Sequence, residues 1–295
     1  MKCPVCYSPN YTKKGRNNIG NQRFKCKDCG HRFTHNTAIE GHAKILLFDI
    51  ETTPMEIYTW NLYPKYIHIS QIIKDWNIIC WRAKWLFGTE TMGACQTSEE
   101  AINRDDRRVV SKLWGLIDEA DIIIAHNLIK FDRQKANSRF VEHGLLPPSP
   151  YQVVDTLAIA KREFKFSSNK LDYLCQKLGI GAKLDTDFDL WKDCLIGDKI
   201  ALKNMYDYCG NDVGILEDLY LKLRPWIKSH PNVALYCEDA DGRCGNCGSD
   251  EITRLHRSYY TPTGKYEVWR CDNCGAMVRS RFQGKDSDLL RTLAR

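Results

Sequence analysis

Cysteine spacing sets the tightest constraint on this chain. Eight of its fourteen cysteines fall in four C-x-x-C pairs: Cys3/Cys6, Cys26/Cys29, Cys244/Cys247 and Cys271/Cys274. The pairs form two quartets, one near each end, with 19 residues between the first two pairs and 23 between the last two. Paired knuckles about 20 residues apart match a four-thiolate zinc site. Each turn offers two sulfurs about 2.3 Å from one ion, and two turns close the tetrahedron. Gly30, Gly248 and Gly275 follow three of the pairs and suit the tight turn. Each end is therefore expected to be a small zinc-stapled module, 1–40 and 240–295, holding one structural Zn²⁺. Cys80, Cys95, Cys175, Cys194, Cys209 and Cys237 show no pairing pattern and read as core or helix residues.

The rest of the composition narrows the class. At 295 residues and 43% hydrophobic, the chain can build one sizeable core beside its satellites. No apolar run approaches the roughly 18–20 residues of a membrane span, and "MKCPVCYSPN" lacks the apolar segment of a signal peptide. The expectation is a cytoplasmic protein with no membrane partner, which also disfavours disulfides. Residues 1–42 carry 8 Lys/Arg against 2 Asp/Glu, whereas residues 43–237 carry 25 against 26. From Arg243 onward the count is 10 against 6. Basic ends around a near-neutral middle suggest attachment to a polyanion, with separate chemistry between.

Both ends mix cations with rings. Lys13, Lys14, Arg16 and Arg23 interleave with Tyr11, Phe24 and Phe33 in the first. The last holds Arg254, Arg257, Tyr259, Tyr260, Tyr266, Trp269, Arg270, Arg279 and Arg281, with a hairpin expected around Thr261–Gly264. Such a mix suits phosphate contact and base stacking; protein docking is the alternative. The N-terminal pattern "CPVC…QRFKCKDCGHRF" resembles the zinc ribbon of some insertion-sequence transposases, which implies nucleic-acid binding.

Between the ends, "KILLFDIE", "NIICWRAKWL", "DIIIAHN" and "YQVVDT" read as strands, as do "EIYTW" and residues 89–94. "DRRVVSKLWGLIDEA", "FDRQKANSRFVEHG", "KLDYLCQKLGI" and a long helix ending near Pro225 carry helical spacing. The order predicts an α/β domain over 43–237 with a mixed sheet.

Three acidic elements fall in this domain. Asp49 and Glu51 alternate on one face at the end of a buried strand, where two like charges are costly without a cation. Alone, such a pair marks a solvated strand end. Asp132 follows the strand "DIIIA", near a helix start; alone it favours the helix N-terminus. Tyr208 and Asp212 sit one helical turn apart, in a stretch whose Gly210 and Gly214 make sense if a backbone or ligand comes close.

Together "FDIET", "HNLIKFD" and "YCGNDVGIL" resemble, in order and spacing, the three exonuclease motifs of the DEDD superfamily, tyrosine subclass. The proofreading 3′–5′ exonuclease domain of family B DNA polymerases shows the likeness best, over roughly residues 43–225. Asp207, not histidine, precedes Tyr208, so the histidine subclass fits poorly. The resemblance implies an RNase H-like fold with flanking helices and a two-metal reaction. Asp49, Glu51, Asp132 and Asp212 would hold two Mg²⁺ or Mn²⁺ ions, and Tyr208 would orient the attacking water. Asn127 and Phe131 would support the site or contact substrate, and Thr52 would touch the terminal nucleotide. Only 83 residues follow Asp212, so no polymerase domain is expected after it. The function expected is a 3′–5′ exonuclease on nucleic acid, DNA ahead of RNA, free-standing or proofreading for a DNA polymerase in trans. Two alternatives stand beside it: a structure-selective endonuclease or RNase on the same fold, and a non-catalytic zinc-ribbon binding protein.

Overall fold

The computed structural model describes residues 3, 8–16, 22–30, 32–34, 43–238, 240–262 and 264–280. The chain divides into two compact units, Lys44–Tyr220 and the pair of segments Met1–Ala43 and Leu221–Arg295.

The Lys44–Tyr220 unit is built on a mixed sheet. Its strands are β1 (Ile45–Thr52), β4 (Ile78–Trp85), β5 (Thr91–Cys95), β6 (Ile122–Ala125) and β7 (Gln152–Asp155). A separate two-stranded ribbon pairs β2 (Glu56–Ile57) with β3 (Ile72–Lys74). The sheet order is β7-β6-β1-β4-β5, parallel from β7 to β1 and antiparallel from β1 to β5. The helices are α1 (Ser98–Asn103), α2 (Arg107–Glu119), α3 (Asp132–Glu142), α4 (Thr156–Glu163), α5 (Leu171–Lys177), α6 (Phe188–Leu195) and α7 (Lys199–Leu223). This is the mixed α/β architecture expected. Among the described residues no helix is long and apolar enough to cross a membrane.

β1 is central, so its apolar run is covered on both faces. Leu46, Phe48 and Ile50 share one core with Val109, Val110, Leu113 and Ile117 of α2 and with Ala136 and Phe140 of α3. Each such side chain contributes about 1.5–3 kcal/mol over leaving it in water. The opposite side of β4 packs Ile79 and Cys80 against Met205, Tyr208 and Cys209 of α7. Alternation thus sends Asp49 and Glu51 toward α7, away from the α2–α3 core.

Patterning located these strands and the longer helices. "EIYTW" departs: only Glu56–Ile57 is strand, because Tyr58 and Trp60 have no layer to bury against and stay exposed. The patterning did not anticipate α1, α4 and α6; their starts are set by the caps Thr97, Asp155 and Asp187. The glycine expectation is half corrected. A Cβ on Gly210 would crowd the Arg82 guanidinium at 3.1 Å, so a side chain, not a backbone, approaches there. Gly214 has nothing within 4 Å, and nothing in the structure requires glycine at that position.

Asp106 is fully buried where α2 meets α3. It accepts from the Ile78 amide (2.8 Å) and from Arg139 Nε (2.8 Å) and Nη2 (2.5 Å), and lies 2.6 Å from His143 Nε2. Asp106→Ala would take the buried partner from Arg139, only 11% exposed, and leave its charge to the more exposed Glu142. A loss of about 3–5 kcal/mol is expected in urea unfolding. A loss under about 1 kcal/mol would mean the network bears little on stability.

In the other unit, strands Tyr11–Arg16, Gln22–Cys26 and Arg32–Thr34 form one antiparallel sheet. Strands Ile252–Thr261, Gly264–Cys271 and Met277–Arg279 form another, with the hairpin at Thr261↔Gly264. Tyr11 and Phe24, read above as stacking residues, meet edge-to-face at 5.3 Å in a small core with Cys3 and Cys26. A module this small has little else to bury. Arg23 Nε donates to Glu251 Oε1 at 2.7 Å instead of standing free. Tyr259 and Tyr260 are exposed, and Arg279 lies 4.2 Å over the Tyr266 ring. Arg281 and the side chains of Arg16 and Phe33 lie outside the described residues.

Candidate active site

β1 and α7 build the site from opposite sides. Alternation on β1 aims Asp49 and Glu51 the same way, and a helical turn aligns Tyr208 with Asp212. Carboxylate oxygens of Asp49, Glu51 and Asp212 all lie within 4.8 Å of one another. Cys209, the residue after Tyr208, hydrogen-bonds the Asp49 carbonyl (3.4 Å) and carboxylate (3.6 Å), locking helix to strand.

Asp132 opens α3 and is 1% exposed. It stands outside the 4.8 Å set, yet its charge acts on Glu51 and that of Asp49 acts on it. Neither of its carboxylate oxygens makes a well-formed hydrogen bond among the described residues, nor does Asp212 Oδ1.

Crowding shows in the acidities. Burial, then Asp212, pushes Asp49 up to about 7, against a smaller pull from Lys183. Burial and Asp49 raise Glu51 well above the ordinary carboxylate range. Burial and the Asp49 charge do the same to Asp132, with the Ile50 and Asp132 amides opposing weakly. Asp212 is raised by burial, moderated by Lys183.

Lys183 is the site residue that motif reading missed. It ion-pairs with Asp212, and its Nζ donates to the Tyr208 hydroxyl at 3.1 Å. Burial alone would lower its pKa; Asp212 and Tyr208 reverse that and hold it charged. Lys183 precedes Tyr208 by 25 positions in a stretch without regular secondary structure, so no periodicity marks it. The Tyr208 ring is buried edge-to-face on Trp191, centroids 6.2 Å apart.

The loop after β6 is held by Asp155, a second residue without a sequence signal. Its carboxylate accepts from the amides of Asn127 (3.1 Å), Ile129 (3.0 Å), Leu157 (3.0 Å) and Ala158 (3.1 Å). That bracing keeps Asn127 in a left-handed conformation, φ +79°. His126 is wedged 2.9 Å from both Thr156 Oγ1 and the Asn169 carbonyl, and burial pushes its pKa down to about 4. It is a neutral spacer, not a base. Phe131 precedes α3 and packs on the main core. Asn127, Lys161, Lys170 and Lys183 line a cleft of about 540 Å³. Thr52 is half-buried at the end of β1, after a bulge in its pairing.

Four carboxylates face one lysine here, and three buried oxygens are unsatisfied. An all-oxygen donor set whose burial and mutual charge raise its pKa values fits hard divalent cations, which would supply the missing positive charge. The thiols form separate centres. Sulfurs of Cys244, Cys247, Cys271 and Cys274 gather within 4.8 Å, with Cys244–Cys274 at 3.7 Å and Cys247–Cys271 at 3.6 Å. A tetrahedron with 2.3 Å arms has edges of about 3.8 Å. Hydrogen bonding by Cys244 holds Cys247 and Cys274 below the ordinary thiol range. Cys3, Cys26 and Cys29 gather likewise, while Cys6 lies outside the described residues.

Residues 85–228 match the family model described as 3′–5′ exonuclease. The match takes in Asp132, Tyr208 and Asp212; it begins after β1, which carries Asp49 and Glu51. A DNA polymerase III PolC-type of Ureaplasma parvum serovar 3 is 26% identical over 209 residues, covering 62% of this chain and 13% of that protein. The chain thus spans only a small part of that relative's length. Over residues 85–228 the chain is similar to 3′–5′ exonuclease domains.

Proposed function

We propose that this chain is a metal-dependent 3′–5′ exonuclease that hydrolyses phosphodiester bonds of nucleic acid, DNA in preference to RNA. The observation that carries this reading is the convergence of Asp49, Glu51 and Asp212 within 4.8 Å, beside a buried Asp132 whose oxygens make no well-formed hydrogen bond among the described residues. Two Mg²⁺ or Mn²⁺ ions held by these four residues would activate a water and stabilise the charge on the leaving oxygen.

The chain's own groups do the positioning. Lys183 donates a hydrogen bond to the Tyr208 oxygen, which leaves the phenol's own O–H free to orient the attacking water. Burial keeps Tyr208 protonated, its pKa raised, so it acts as a donor and not as a base. Lys183 also favours the ionised form of Asp212, the form a cation needs. The cleft beside Asn127 has the volume of a small-ligand site and three lysines to meet phosphates. Thr52, Asn127 and Phe131 are assigned to the substrate's terminal nucleotide. Modules 1–40 and 240–295, each of which one structural Zn²⁺ would staple, bind the nucleic-acid strand or a replication partner beside the nuclease domain 43–237. The relative's name also supports a polymerase partner served in trans.

One assay tests the core of this. Single- and double-stranded DNA and RNA, labelled at the 5′ end, are incubated with Mg²⁺ and wild type or Asp49→Ala. A ladder shortening from the 3′ end, strongest on DNA and lost in the variant, is the expected result. Discrete internal cuts would make the enzyme an endonuclease; binding without cleavage would make it a binding protein.

A further inference from the structure

Between β2 and β3 the chain makes an excursion that exposes rings instead of burying them. Tyr58 is 73% exposed, Trp60 97%, Tyr63 90% and Tyr66 76%, with Leu62 and Ile69 also bare. Contiguous apolar exposure of this kind marks a binding surface. Among the described residues none of the four rings has a ring or cation partner.

The excursion is braced at its base. Its neck is the β2–β3 pairing, with the Tyr58 amide on the Gln71 carbonyl (2.8 Å) and Gln71 Nε2 on the Tyr58 carbonyl (2.9 Å). Gln71 Oε1 accepts the His68 amide at 2.7 Å, closing a short 3₁₀ turn. Below the neck, Thr53 and Asn77 exchange hydrogen bonds at 2.9 Å, and Arg104 ion-pairs with Glu56. Rings on a braced loop lose little freedom on binding.

Charge and position identify the occupant. No Asp or Glu occurs from Ile57 to Lys74, whereas Lys65, His68 and Lys74 do. Two acids flank the base: Glu56 is paired with Arg104, and the charge of Asp75 acts on Lys135 and Arg139. Tyr58 lies six residues beyond the end of β1, so at most about 20 Å of extended chain separates it from Thr52. We propose that Tyr58, Trp60, Tyr63 and Tyr66 form a stacking platform for unpaired bases of a single-stranded nucleic acid whose end lies at the carboxylates of β1 and α7. The inference rests on the exonuclease reading for the identity of that strand. Aromatic rings stack every base type, so the platform holds strands without reading sequence.

The test uses the full chain in EDTA, which separates binding from cleavage. Fluorescence anisotropy follows a 5′-labelled twelve-residue oligothymidylate and a base-free deoxyribose-phosphate strand of the same length and charge. Trp60→Ala/Tyr63→Ala should weaken oligothymidylate binding roughly 10-fold or more, since each stacked base is worth about 5- to 150-fold. Trp60→Phe/Tyr63→Phe should keep most of the affinity, and wild type should bind the base-free strand much more weakly. Both variants should melt with the wild type, because the rings are bare. Unchanged affinity in the alanine variant, equal binding of both strands by wild type, or equal losses in both variants would each overturn the platform. So would sedimentation showing that the alanine variant loses only a dimer. A wild type that leaves oligothymidylate uncut in Mn²⁺ defeats the exonuclease reading separately, and the anisotropy result still decides the platform.

Discussion

Asp132→Asn is expected to lower kcat by on the order of 10³-fold or more while making the metal-free protein more stable. The loss follows from removing one carboxylate of the cation set, several kcal/mol of charge stabilisation in the transition state. The gain has a separate cause. Asp132 is buried with no well-formed hydrogen bond to either oxygen, and its pKa is raised by burial and by Asp49, against a weaker pull from the Ile50 and Asp132 amides. A carboxylate whose folded pKa exceeds its unfolded value stabilises the fold below the unfolded value, near 4, and loses that contribution as pH rises through the folded value. In EDTA at pH 8 the neutral amide should therefore raise stability by about 1–3 kcal/mol. At pH 4 the difference should vanish. Asp49, pushed up to about 7, places part of the same decline between pH 4 and 7 in the wild type. Mn²⁺ should reverse it, because a ligand that binds only the folded state stabilises by mass action. Calorimetry across pH with and without Mn²⁺ reads both effects. A variant that melts below wild type in EDTA at pH 8 would show Asp132 to be a structural residue with unseen partners.

Cys271→Ser should cost the C-terminal module its fold. Its sulfur is one of four within 4.8 Å, and a structural zinc contributes about 10–16 kcal/mol of apparent binding energy to a module of this kind. The Ile252–Thr261 and Gly264–Cys271 strands bury only Val268 and Cys271. Metal analysis should fall by one zinc per chain, and amide exchange should become fast from Ile252 to Arg279. Affinity for long DNA should drop and its salt dependence should become shallower, because fewer phosphates are neutralised, while cleavage of a short oligonucleotide persists. Two zincs per chain in the variant would rule out a four-thiolate site; unchanged affinity for long DNA would free the module from strand binding.

How legible this protein was in its sequence depended on the range of each signal. The apolar run of β1 and the spacing on α7 are local; they paired Asp49 with Glu51 and Tyr208 with Asp212, and it took the resemblance of the three motifs to join these pairs to Asp132 as one expected site. The cysteine pairs did the same for the thiol clusters. "EIYTW" carried the same kind of local pattern and misled, because strand length depends on what covers the residues. Tyr11 and Phe24 looked like stacking residues until the small module around them needed a core. Rings carry no label for which of these uses they serve.

The sequence by itself determined the pairing of the cysteines, the α/β class and which side chains share a face, since all three follow from periodicity and spacing along the chain; the roles expected of the carboxylates came from the resemblance of the three motifs. Only the tertiary structure decided how these groups are held. Lys183 reaches Asp212 and Tyr208 from an irregular segment, and Asp155 braces the loop that carries Asn127 from the end of a different strand. It also leaves the rings of 58–66 bare, and bares the oxygens of Asp132 to a buried site without partners. Such contacts join residues tens of positions apart, where no local period reaches and burial is set by the packing of the whole unit.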